Sequence, residues 1–162
     1  MKLTFEELMS ILQEQKKIYS ELLELSRQKQ ENLIKGDIAA LEAITGQEEG
    51  LVFQVGKLEE KRKDCFNCLA EQYGLERELT LQELLSQVPE QYRSELEKIH
   101  EDFAVLLTAL EKFNQENTNL IEQSLRFVNF SVDVIGQQSK PLYNADQEVK
   151  VERLTNLVDK KV

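Results

Sequence analysis

Tryptophan is absent from these 162 residues, which hold only two prolines, six glycines, two cysteines and one histidine. A β-sheet protein of this size needs more turn residues, and more Val, Ile and Thr, than the chain offers. Two cysteines and one distant histidine do not make four zinc ligands. A di-iron bundle takes two Glu-x-x-His motifs, one from each helix pair. Glu97-Lys98-Ile99-His100 uses the single histidine, so a second motif cannot exist. A phosphorelay histidine is followed by a lysine and a glycine, whereas Glu101-Asp102-Phe103 follows here. No glycine-rich phosphate loop is present. No apolar run approaches the roughly 20 residues that span a bilayer. Basic residues are outnumbered, twenty against thirty acidic ones, for a formal net charge of −10. A nucleic-acid binder must neutralise phosphates, and an anionic membrane surface attracts cations; this balance suits neither. The opening Met1-Lys2-Leu3-Thr4-Phe5-Glu6-Glu7 lacks the basic-then-apolar form of a signal peptide, so a cytoplasmic protein is the expectation.

What is abundant is Leu, Glu, Gln and Lys, the straight-chain residues that lose little rotamer freedom in a helix. Thr4 and Glu7 form a candidate capping box. After it, Phe5, Leu8, Leu12, Tyr19, Leu22 and Leu33 recur on one face, flanked by Ile11, Ile18 and Leu25 and interrupted by Gln15, Ser26 and Lys29. Gly36 ends this helix and Asp37 caps the next, leaving the two as antiparallel neighbours. The second helix, to about Tyr73 where Gly74 closes it, has the seam Leu41, Ile44, Glu48, Leu51, Val55, Leu58, Arg62, Cys65 and Leu69. Gly46, Gly50 and Gly56 inside it suggest close helix approach or bending. Thr80 and Glu83 form a second capping box, opening a short helix to about Gln87. Pro89 is expected in the first turn of a third long helix.

That third helix alternates steps of four and three through Tyr92, Leu96, Ile99, Phe103, Leu106, Leu110, Phe113, Asn117, Leu120, Ser124, Phe127, Ser131 and Val134, a coiled-coil seam. It is expected to end near Gly136. The expected architecture is therefore all-α: an elongated antiparallel bundle of three long helices, with a short helix before the third. The bundle occupies residues 1–137 and a mobile tail 138–162. Cys65-Phe66-Asn67-Cys68 reads as reduced structural thiols and His100 as an ordinary helix histidine, with interspersed acidic and basic residues as solvated faces. No catalytic residue, cofactor or metal site is assigned, and the chain is not expected to be an enzyme.

The end of the third helix is the informative region. A second stripe, Ile121, Leu125, Val128, Val132 and Ile135, runs beside the seam, which itself turns partly polar at Asn117, Ser124 and Ser131. With Leu120, Phe127 and Phe130 the last turns become apolar over more than one seam. Helix lengths suggest that the third helix overshoots the second by roughly twelve residues, from about Arg126. Asn117, Leu120, Ile121, Leu125, Phe127, Val128, Phe130 and Val132 are therefore the expected partner-binding residues, since an exposed apolar patch marks a binding or self-association site.

The turn Gly36-Asp37-Ile38 with Leu41-Glu42-Ala43-Ile44-Thr45, and the run from Asn114 through Asn117, Leu120, Ile121 and Leu125 to Phe127, resemble the FlgN family of flagellar export chaperones. The likeness extends over nearly the whole chain and includes Tyr143-Asn144-Ala145-Asp146, though Gln147 stands where relatives often have glycine. It implies a cytoplasmic, non-ATPase chaperone. Such a protein holds the terminal helical segments of hook–filament junction proteins, prevents their premature assembly and delivers them to the type III export gate. The export ATPase complex is a further partner the resemblance allows. The alternative from the residues alone is a scaffolding coiled coil that homodimerises through the apolar end of its third helix.

Overall fold

A computed structural model describes residues 2–75 and 80–139, and these contain four helices and no strand. They are α1 (Lys2–Lys35), α2 (Ile38–Tyr73), α3 (Leu81–Leu85) and α4 (Glu90–Ser139). The chain is all-α. It divides into two compact units: Met1–Gln115, and a second beginning at Glu116, whose described part is the remainder of α4.

The helix ends follow from local chemistry. Gly36 adopts φ +73° after α1, a left-handed conformation that a side chain resists. Asp37 then caps α2 by accepting a hydrogen bond from the Ala40 amide. Gly74, at φ +65°, closes α2 with its amide turned back to the carbonyls of Ala70 and Glu71. At α3 the capping box is complete: Thr80 accepts from the Glu83 amide, and the Glu83 carboxylate accepts from the Thr80 amide. The Thr80 amide, followed by the Thr80 hydroxyl, which also donates to that carboxylate, holds the Glu83 carboxyl below its ordinary pKa.

Five expectations are corrected. Thr4 is not a cap, because α1 already begins at Lys2. The short helix stops at Leu85, where Ser86 caps it, and Pro89 stands just outside α4. Gly136 lies within α4, which runs to Ser139. A Cβ built on Gly46, Gly50 or Gly56 would meet nothing within 4 Å, so none of the three serves close helix approach within the chain. The expected tail lies outside the described residues from position 140 onward.

In the first unit α1 and α2 are an antiparallel, closely packed pair: Gln15 hydrogen-bonds Glu59 and Lys29 pairs with Glu48. The part of α4 that belongs to this unit runs in the same direction as α1. Phe5 stacks on Tyr92, Tyr19 meets Phe103 edge-on, Lys16 pairs with Asp102 and Ser26 hydrogen-bonds Asn114.

The fully buried apolar side chains gather at one end of this unit, its base. Phe5, Leu8, Ile11, Leu12, Ile18 and Leu22 meet Leu58, Cys65, Phe66 and Leu69 of α2 and Tyr92, Leu96 and Ile99 of α4. Leu84 of α3 and Val88 plug the end. Apolar burial of this kind is the principal source of stability. The opposite end, the hairpin tip between residues 27 and 57, buries one side chain, Ile44.

Candidate partner-binding surface

In the second unit, α4 from Glu116 onward can be read on a helical wheel. At 3.6 residues per turn, Leu120, Phe127 and Val134 share one line, and Ile121, Leu125, Val128, Val132 and Ile135 a second, with Phe130 at the margin. Together they cover about 220° of the circumference, roughly twice the stripe by which a helix joins a bundle. The charged residues between Asn117 and Gln137 are Glu122, Arg126 and Asp133, and all three fall within about 40° on the opposite side. Arg126 and Glu122 pair there at 3.8 Å.

Two of the polar interruptions are neutralised locally. The Ser124 hydroxyl donates to the Leu120 carbonyl, and that of Ser131 to the Phe127 carbonyl. Each serine thus satisfies its donor within its own helix. The seam remains compatible with apolar contact at both places.

Much of this surface is open. Phe127 is 70% exposed, Phe130 65% and Ile135 60%, while Ile121 and Val128 are also exposed. Leu120, Leu125 and Val132 are half-buried. Asn117 is the exception among the expected binding residues: only 3% exposed, it is a buried polar group at a seam position. Large aromatic side chains left in water are the type that anchor interfaces.

Other features singled out from the sequence have ordinary places. Cys65 is buried against the base, where burial chiefly, helped by nearby acidic groups, pushes its thiol pKa up; Cys68 is exposed. His100 is half-buried. No group of three or more His, Cys, Asp or Glu side chains could hold a metal ion among the described residues. Nor is any described helix long and apolar enough to cross a membrane.

The sequence pattern did not single out a second set of exposed apolar residues, in the first unit. Ile34, Ile38, Val52 and Phe53 lie at or near the hairpin tip, and Val105 and Leu107 on α4. A cleft of about 440 Å³ also opens between α1, α2 and α4, lined by Tyr19, Leu22, Val52, Val55 and Leu110. The exposed residues lie off the seams, so a search for heptads passes over them; the length of the apolar strings alone was their only signal.

Residues 1–151 match the family described as FlgN protein. No curated protein and no solved structure matches the chain.

Proposed function

The chain belongs to the FlgN family, and from that premise we propose that it is a cytoplasmic flagellar export chaperone for hook–filament junction proteins. The observation that carries the reading is the open apolar arc of α4, with Phe127 and Phe130 both well over half exposed. A junction protein's terminal helical segments bear apolar stripes that aggregate or polymerise when uncovered. An amphipathic helix laid along α4 hides such a stripe reversibly, by the helix-in-groove mode. The arc is wide enough for two segments side by side. Prevention of premature assembly follows from occupying the surface through which the client assembles; delivery to the type III export gate follows from release there. The export ATPase complex is a further partner in this reading. The protein acts by binding alone, with no catalysis.

The same exposure favours one alternative, a homodimer through the apolar end of α4. Light scattering separates the two: a chaperone gives a 1:1 complex with a client's terminal helical segment, even from a dimeric start, whereas a scaffold remains dimeric and ignores the client. Truncation then locates the surface. Phe127→Ala and Phe130→Ala are each expected to lower client affinity about thirtyfold or more, with little change in melting temperature. Phe103→Ala, which removes the edge-on contact with Tyr19, is expected to lower the melting temperature and spare affinity. If all three variants melt alike and bind alike, the client site is not on this arc.

A further inference from the structure

The hairpin tip is held by little. Between residues 27 and 57 Ile44 is the sole buried side chain, while the next four turns of α2 bury Leu58, Cys65, Phe66, Leu69 and Ala70. The α2 segment around Gly46–Val55 is undercut on both flanks. On one side lies a groove of about 440 Å³ lined by Leu25, Gly46, Gly50 and Leu51; on the other is the cleft reaching Tyr19, Leu22 and Val55. Across α1 and α2 the tip is tied by the Lys29–Glu48 ion pair. Three glycines, 46, 50 and 56, lie inside the helix in this stretch, each about 1 kcal/mol less favourable than alanine. Open space around each would admit a methyl group, so packing does not require them. Val52 and Phe53 meanwhile stay in water rather than reinforcing the segment.

We propose that the α1–α2 hairpin tip, residues 27–57, is built to open as a unit of its own while the base of the bundle stays folded. Opening unwinds the first half of α2 away from α1 and bares Leu22, Leu25 and Ile44, which the closed form buries, together with the half-buried Leu51 and Val55. Subglobal opening of this kind belongs to segments with few buried apolar contacts. The inference stands on the first unit alone and does not depend on what α4 binds.

Amide hydrogen exchange of the full-length protein, read by peptide fragments under conditions where reclosing outpaces chemistry, tests it. Amides of 40–57 are expected to exchange at least a hundredfold faster than those of 60–70, after correction for intrinsic rates. Ile99→Val, a mild truncation in the base, is expected to speed exchange of 60–70 roughly two- to tenfold and to leave the tip unchanged. Gly46→Ala, Gly50→Ala and Gly56→Ala combined are expected to slow the tip by roughly a hundredfold. Equal protection of the two segments in the unaltered protein would overturn the proposal. So would tip amides that accelerate with the base in Ile99→Val, or tip rates indifferent to the three alanines.

Discussion

Gln15 occupies a seam position where an apolar residue is expected, and it is buried. Its amide donates to Glu59, whose carboxylate also accepts from Arg62, while the Arg62 guanidinium lies over the Phe66 ring. The hydrogen bond from Arg62 is the largest of the effects that hold the Glu59 carboxyl below its ordinary pKa. With the folded-state pKa depressed, the stabilisation is complete above the unfolded-state value and disappears as pH falls through the folded-state one. Asp102, held down by Lys16, adds to the same acid limb. Glu59→Gln is therefore expected to lower the melting temperature by about 2–4 °C at neutral pH, the effect of losing about 1 kcal/mol at a partly exposed pair. The difference from the unaltered protein shrinks as pH drops through the carboxylate range; a difference constant with pH would mean that the charge on Glu59 contributes nothing. The two thiols give a simpler check. A thiol reagent at neutral pH is expected to modify Cys68 quickly and Cys65 only on unfolding, and Cys65→Ala with Cys68→Ala to cost about 1 kcal/mol while client binding persists. Two equally fast thiols in the native protein would contradict the burial of Cys65. At this scale the sequence shows which positions are seam but not how a polar seam residue is satisfied. Gln15 interrupts a pattern until Glu59, forty-four positions away, is seen beside it.

Among the elements, the helix boundaries governed by glycine and by side-chain caps were legible, because their causes are local: Gly36, Asp37, Gly74 and the Thr80–Glu83 box all do what their residue types permit. The boundary placed at Thr4 was not, since a threonine followed three positions later by glutamate is equally compatible with a helix already under way. Close approach, one of the two readings of the helical glycines, failed for a different reason. Sequence cannot distinguish a glycine that admits a neighbour from one that faces open space, and these face open space. Gly36 offers the converse case: its positive φ makes any Cβ strained although no atom lies nearby. Gly36→Ala is expected to cost about 1–2 kcal/mol, with Gly36→Asn closer to neutral, by thermal melts. Equal stability of all three would imply that the turn relaxes to another geometry. The α4 arc was legible as a pattern of apolar residues; its exposure required the structure, and so did the burial of Asn117 within it.

For the molecule as a whole, acidity and the open arc act against each other. A net charge of −10 keeps chains apart near neutrality, and this protection vanishes toward the sequence pI of about 4.8. Static light scattering of the pure protein is expected to rise steeply as pH approaches that value, and Phe127→Asp with Phe130→Asp to suppress the rise. Scattering that climbs identically in the variant would place the sticky surface elsewhere, with Ile34, Ile38 and Phe53 next to consider. The direction of α4 along α1 has a consequence for how the chain is made. Phe5 must wait for Tyr92, its stacking partner, and the core it belongs to for Val88 and Leu96. At about 5–20 residues per second, on the order of 4–17 s of synthesis separate Phe5 from Tyr92. Through that interval the emerging α1 and α2 can pair with each other yet have nothing to close their base. A protein proposed to shelter the unfinished surfaces of others thus passes its own birth with such a surface uncovered, and ribosome-bound chains stalled before Tyr92 should be more readily digested by protease than those stalled beyond Ile99.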